Sequence, residues 1–307
     1  MNNNNRRNND GIKRKTSDRT LSVAAYLLTG VFAILCLTPL WMAFCASFTR
    51  ETTLIRDGYK LWVTDFDAAS YRMIFGRTSV VYRAYLVTIG MTAIGTLLTV
   101  FFTALTAYPL SVGSVKYSSK ISIYIYLTML LNGGLVPNYI LITRVLNMKN
   151  SFWALVIPGV LQAYNIFLMK NYFKSIPGSL AESAKMDGAT DFKIFIRIIL
   201  PLAKPILATI GLFAAMNYWN EWYRVLLYID DPKLYTLQYL VMKMQRQIDF
   251  LTSAMGAKAM QGMGGMILPS LGMRMATAML SIGPIVLLYP FLQKYFMKGI
   301  MIGSVKE

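Results

Sequence analysis

The sequence predicts an all-α polytopic membrane protein, and three observations carry that prediction. Hydrophobic residues make up 55% of the chain and its mean hydropathy is +0.46, above the ~45–50% apolar content usual in soluble domains. Apolar runs recur along the chain, several near the ~20 residues that cross a bilayer as a helix. Some runs contain helix breakers, such as Pro158-Gly159 and Gly283-Pro284. Broken helices at membrane depth are tolerated where they are buried in protein or line a cavity.

Taken in order, residues 1–20 are polar and basic and read as a disordered cytoplasmic leader. A six-span domain then fills 21–307. Its spans are predicted at Leu21–Phe48, Tyr85–Leu110, Tyr117–Val136, Phe152–Met169, Ile199–Trp219 and Met275–Tyr295. The first run exceeds the ~7–15 residues of a signal-peptide core, and the bulky Phe44 before Cys45 argues against lipoprotein processing. The third run meets Asn132-Gly133-Gly134 and Pro137, which predicts a short span and then an interfacial helix through Val145.

Orientation follows from the basic residues. With the N-terminus inside, 17 Lys/Arg fall on 79 inner residues and 14 on 110 outer ones. The density places both termini in the cytoplasm, as the positive-inside rule requires. The net charge of +17 fits this topology and anionic headgroups, and no domain is large enough to read nucleic acid.

Histidine is absent, which removes the usual zinc ligand and the commonest general base. No catalytic residue and no metal ligand is assigned. Cys36 and Cys45 lie nine residues apart, on opposite faces of one helix at ~100° per residue, so they cannot pair. Both read as small buried hydrophobes. Residues 254–280 hold seven methionines. Thioether sulfur suits Cu(I), so a methionine-lined copper transporter is a reading from a different class. The missing histidine and cysteine pair, and the ordinary use of Met in packing, weigh against it.

The polar stretch "SLAESAKMDGATDFKIFIRIILPLAKP", from Ser179 to Pro205, separates the fourth and fifth spans. Ser179 stands three residues before Glu182, the spacing of a capping box, which starts a helix near Leu180. Ala181 and Ala184 leave that helix open to close approach by another surface. Gly188, after Asp187, fits the left-handed turn that stops it. A second helix starts near Thr190–Asp191, with Phe192, Phe195, Ile196 and Ile199 as its apolar stripe and Lys193 and Arg197 on the wet side. The pair reads as a short rigid lever joined to two spans.

Glu182-x-Ala184-x-x-Asp187-Gly188-Ala189, followed by Ile198-x-Leu200-Pro201 and Pro205, resembles the "EAA" motif of membrane permease subunits of ATP-binding-cassette (ABC) importers. The likeness is greatest to the carbohydrate-uptake branch, including the second permease of maltose-type systems. Ser183 stands where that family usually has alanine. "WNEW" (Trp219–Trp222) and the ending Leu287–Glu307 are also similar to these permeases. The resemblance implies a type I importer permease fold, with residues 170–199 as the cytoplasmic coupling loop and 220–274 as an extracytoplasmic loop. It implies energy coupling through Ser179, Ala181, Glu182, Ala184, Asp187, Gly188, Ala189, Leu200 and Pro201. No Gly-x-x-x-x-Gly-Lys-Ser/Thr phosphate loop occurs, so this chain is expected to bind no cofactor. ATP and Mg would sit on two partner ATPase subunits. A second permease, usually a different chain, and an extracytoplasmic sugar-binding protein complete the expected assembly in the cell membrane. The expected cargo is a carbohydrate, with an oligosaccharide preferred and another polar solute as the alternative.

Polar residues within spans default to functional candidates. Here they are Gln162 and Asn165 in the fourth span and Asn217 and Asn220 near the outer end of the fifth. They either line a substrate path or form interhelical hydrogen bonds. Tyr218, Trp219, Trp222 and Tyr223 either stack on sugar rings or form an interfacial aromatic belt. The outer loops carry a net charge of +6, which fits acidic oligosaccharides such as uronic-acid fragments.

Overall fold

The structure, a computed structural model, describes residues 16–76, 78–113, 115–131, 133–252 and 271–283. Among them no β-strand forms, only an isolated antiparallel bridge between Thr49 and Phe66. The methionine run Met260–Met266, the first fifteen residues and the ending Leu287–Glu307 lie outside the described residues.

Among the described residues, two helices are long and apolar enough to cross a bilayer alone. The first is α1 (Thr16–Ser47), whose helix takes in the last five residues assigned to the leader. Its apolar stretch buries nothing against the rest of the chain, so Cys36 is exposed rather than buried. Cys45, near the end of α1, is buried. Two short helices follow, α2 (Glu51–Asp57) and α3 (Ala69–Phe75).

The second long helix, α4 (Thr78–Ser111), is the axis of the fold. At 1.5 Å per residue it extends about 51 Å. Its buried face is built from Ala84, Thr88, Met91, Thr99, Thr103 and Ala107, with Gly95 between them. Small residues at this spacing let a neighbouring helix approach closely.

Three bent pairs account for further apolar runs. In the first, α5 (Ser118–Leu130) is followed by α6 (Leu135–Ile140) and a π-helical turn to Val145, the end point predicted from the sequence. In the second, α7 (Phe152–Val156) passes into a 3-10 turn at Ile157–Gly159, and α8 (Ala163–Ser175) leaves at 47°. Pro158 lies in the break, where its missing N–H and ring disrupt an α-helix. α8 continues six residues past the predicted span end at Met169, to Ser175. Ile176 is extended (φ −75°, ψ 129°), the conformation favoured before a proline.

Next come α9 (Gly178–Met186), α10 (Asp191–Ile194), a π-helical turn (Phe195–Ile199) and α11 (Leu200–Leu202). α12 (Lys204–Trp219) leaves this segment at 79°, so the fifth predicted span is itself a bent pair reaching back to Asp191. Within the predicted outer loop lie α13 (Tyr223–Tyr228) and α14 (Leu237–Thr252). Thr88 Oγ1 on α4 accepts from Leu237 N at 2.9 Å, fixing the start of α14.

The last described helix, α15, covers 271–283. The buried Glu51 carboxylate accepts from Leu271 N (2.9 Å) and Gly272 N (3.0 Å). A carboxylate at a helix N-terminus satisfies orphan donors and complements the helix dipole.

Candidate functional site

The lever predicted between the fourth and fifth spans forms around a Schellman turn. Gly188 has φ +77°. Gly188 N donates to Lys185 O at 3.0 Å and Ala189 N donates to Ala184 O at 2.9 Å, the paired bonds that satisfy a helix's last carbonyls. A Cβ at Gly188 would meet nothing within 4 Å. The demand for glycine there comes from backbone conformation alone.

Three details correct the sequence reading. Ser179 does not cap α9. The helix starts at Gly178 with Pro177 as its N-cap and no side-chain cap bond, so Ser179 is already inside the first turn and the capping box is not made. The alanine face points inward. Ala181, Ala184 and Ala189 pack on the cluster of Ile166, Met169, Phe173, Ile194, Phe195 and Ile199. The face left for another surface carries Ser179, Ser183 and Met186, and Met186 is 88% exposed. Nothing had singled out Met186, although an apolar residue among polar neighbours was visible in the sequence.

The third correction concerns the apolar stripe of the second helix. Thr190 caps α10, its side chain accepting from Lys193 N at 3.4 Å. Phe195 and Ile199 are buried together with Ile194, whereas Phe192 and Ile196 are exposed. The π turn shifts the phase of the stripe. It sits just ahead of Pro201, which is exposed and whose missing N–H removes one α-helical bond to the preceding turn. Lys193 and Arg197 are exposed.

Across the Gly188 turn, Lys185 Nζ lies 2.8 Å from Asp191 Oδ1. The hydrogen bond to Asp191, then its charge, raises the Lys185 pKa. Glu182 is exposed and forms no ion pair among the described residues. With Tyr108, Lys174, Lys185 and Asp191 it lines a cavity of about 450 Å³ between α9 and the end of α4. Asp187 is the exposed C-cap of α9, and Leu200 is half-buried.

The candidates for a substrate path fall on a second construction, at the break in the fourth span. Gln162 is the residue before α8 rather than a helix-face residue. It accepts from Asn165 Nδ2 at 3.5 Å, and Asn165 is only 2% exposed. The two amides therefore contact one another within one chain segment.

At the end of α12, Tyr218 and Trp219 are both buried. Trp219 Nε1 donates to Ser281 O on α15 at 3.2 Å. Asn220 is the C-cap of α12. Its Nδ2 donates to Met216 O at 2.9 Å and its Oδ1 accepts from Gln238 Nε2 at 3.2 Å. Asn217 and Trp222 remain exposed, with Trp222 edge-on to Tyr223 at 5.6 Å.

Sequence reasoning missed the pair that holds this region together. The break at Ile157–Gly159 disrupts the helical bonding of the preceding carbonyls. Tyr218 OH donates to Val156 O at 2.9 Å, and Arg224 Nη1 donates to Leu155 O at 2.8 Å. Arg224 also pairs with Glu221 at 3.1 Å and lies 5.7 Å from the Tyr218 ring centroid. A Cβ on Gly95 would approach that ring to 2.5 Å, and one on Gly159 would approach Arg224 Nη1 to 2.7 Å. The two glycines make the room in which the clamp sits. The Pro158-Gly159 break, with an Arg near the end of the next span, was the available sequence signal.

Residues 86–302 match the family described as "Binding-protein-dependent transport system inner membrane component". The chain is 36% identical over 289 residues to the polygalacturonan/rhamnogalacturonan transport system permease protein YtcP of Bacillus subtilis (strain 168), covering 94% of this chain and 99% of that protein. It is 26% identical over 297 residues to the arabinooligosaccharides transport system permease protein AraQ of the same organism, covering 93% and 97%. Among solved structures, it is similar to a chain in the crystal structure of a bacterial ABC transporter involved in the import of the acidic polysaccharide alginate. The TM-score is 0.76 at 30% identity, with 92% of this chain and 98% of that chain covered.

Proposed function

The chain belongs to the binding-protein-dependent transport system inner membrane component family, and on that premise we propose that it is a permease subunit of an ABC importer moving an acidic oligosaccharide inward. The observation that carries this reading is the lever. A nine-residue helix presents Ser179, Ser183 and Met186 outward while its alanines are packed on the cluster that joins α4, α8 and the π turn ahead of α12. A force on the outward face is therefore passed to the bent fourth and fifth spans together.

In this reading the lever docks in a groove on an ATPase subunit, with Glu182 as a polar contact and Gly188 setting the helix angle. Two ATPases, which hold the ATP and Mg, draw two permease chains through alternating access by rigid-body rocking. An extracytoplasmic sugar-binding protein delivers cargo. The fold is completed as six spans with both termini in the cytoplasm, the sixth beginning in α15. The acidic cargo is supported by the net charge of +6 on the outer loops and by two similar proteins whose names concern acidic polysaccharides.

The test is uptake of labelled oligogalacturonides by proteoliposomes holding the assembled importer. A residue other than Gly in the left-handed region costs about 1–2 kcal/mol, and a β-branched one is a stronger outlier. Gly188→Val should insert normally and lose uptake, whereas Gly188→Asn should retain most of it, because Asn tolerates this conformation. Normal transport by a well-inserted Gly188→Val chain would sink the coupling role. Equal uptake of neutral oligosaccharides of the same length would remove the acidic preference and leave the permease reading in place.

A further inference from the structure

A second cavity, of about 350 Å³, opens beside the lever between the end of α4, the start of α5 and α8. One wall is basic and hydroxylic, carrying Lys170, Lys174, Ser118, Ser119 and Ser122, and no carboxylate lines it. The rest of the lining is mostly apolar, with Ile123, Tyr126 and Phe167, whose ring centroid lies 5.7 Å from Lys170 Nζ. Tyr126 and Phe167 meet edge-to-face at 6.3 Å, and Ile123 and Tyr126 are exposed.

The hydrogen bonds on the polar wall run in one direction. Lys170 Nζ donates to Ser122 Oγ at 2.6 Å, Ser122 Oγ donates to Ser118 O at 2.7 Å, and Ser118 Oγ donates to Leu110 O at 3.1 Å. An ammonium has three donors and no acceptor. Neither Lys170 nor Lys174 forms an ion pair among the described residues, and Lys170 is half-buried. Just outside, Lys116 and Lys120 lie 5.3 and 5.6 Å from the Tyr117 ring centroid. Lys170 and Lys174 thus share a cavity whose lining holds no carboxylate, and the half-buried Lys170 ammonium is the cation that an anion there would stabilise most.

We propose that this cavity is a phosphate-anion site filled by the headgroup of an anionic glycerophospholipid of the inner leaflet. The phosphate sits between Lys170 and Lys174, and the acyl chains run along Ile123, Tyr126 and Phe167. Juxtamembrane lysines are drawn to anionic headgroups, and the apolar wall fits a lipid better than it fits a free ion. The inference rests on the reading that places α9 on the cytoplasmic side. Its readout does not depend on transport.

The experiment is native mass spectrometry of the assembled importer after exchange into phosphatidylcholine micelles, with phosphatidylglycerol or inorganic phosphate titrated in. The wild type should retain phosphatidylglycerol and should not retain phosphatidylcholine or phosphate. Lys170→Gln/Lys174→Gln should weaken that retention about tenfold or more, the equivalent of a tenfold higher Kd. Lys170→Arg/Lys174→Arg should keep it, which guards against a simple folding defect. Lys185→Gln, on the neighbouring lever, should also leave it unchanged. Equal retention by the double Gln variant would overturn the site, and protection by inorganic phosphate alone would overturn the lipid as its source. An assembly that loses a subunit in the double Gln variant, with no phosphatidylglycerol bound to the wild type, would show that protein covers the cavity and would overturn the proposal as well. Loss of uptake with retention intact would count against the importer reading and leave this site standing.

Discussion

The lever and the clamp lie at opposite ends of the fourth and fifth spans and are held together in opposite ways. The lever is stabilised by backbone bonds across Gly188 and by small alanines against a core, and its outer face is bare. The clamp is made of long side chains reaching main-chain carbonyls, with Tyr218 buried and Arg224 largely so. A face meant for a partner can carry little of the fold's own stability. A break in an apolar span, by contrast, must have its freed carbonyls satisfied by the protein itself. The two regions should therefore respond to mutation in different observables, one in coupling and the other in stability.

The largest expected effect on stability is at Arg224. Arg224→Met would strand Leu155 O and leave Glu221, whose side chain is only 12% exposed, without its cation. Removing one partner of a buried pair costs about 3–5 kcal/mol; with this pair partly exposed, about 3 kcal/mol is expected. Heating the purified chain and following its monodisperse fraction should show a fall of many degrees. A variant as heat-resistant as the wild type would mean that the clamp does not hold the break.

Next is Gly95→Ala. The new Cβ meets the Tyr218 ring at 2.5 Å, and the ring cannot swing away without losing its bond to Val156 O. Overpacking of this kind costs about 1–3 kcal/mol. In a Tyr218→Ala background the same substitution should cost little, because the obstructing ring is gone. Strict additivity in that double-mutant cycle would contradict the packing account.

Met186→Glu sharpens the contrast from the other side. At 88% exposure the residue contributes almost nothing to the chain's own packing, so its melting behaviour should not change. If the outward face of α9 enters an ATPase groove, a carboxylate there should lower substrate-stimulated ATPase activity of the assembled importer by about tenfold, the rate equivalent of about 1.4 kcal/mol. Unchanged stimulation would move the contact to another face of the helix.

What the sequence made legible follows the same division. Gly188 could be read because only backbone conformation decides it. The breaks could be read because proline acts on its own helix. Tyr218 and Trp219 could not be read, because their partners lie 62 residues away and an aromatic near a span end looks the same whether it is anchored or exposed. Ser179 misled because the capping-box spacing was present, yet Pro177 and Gly178 began the helix earlier. The stripe on the second helix was misphased for a similar reason. A regular 3.6-residue period does not anticipate the π turn ahead of Pro201, which turns Ile194 inward and Ile196 outward.

The smallest effect expected is at Lys185, and it tests what sets the lever's angle. The Lys185–Asp191 pair crosses the turn, but its side chains are 47% and 69% exposed, a setting in which water and salt take most of an ion pair's worth. The lysine pKa is raised by its partner. Whatever the raised lysine pKa contributes is therefore present from neutrality up to the ordinary lysine range and is lost as pH climbs through the raised value. Stability should be flat in pH around neutrality on this account. Lys185→Gln should leave melting and uptake near wild type, at low and at high salt, because the Schellman bonds and the packed alanines already fix the two helices. A marked loss of uptake with unchanged melting would mean that an exposed ion pair sets the angle, and the lever would then depend on a side-chain contact as the clamp does.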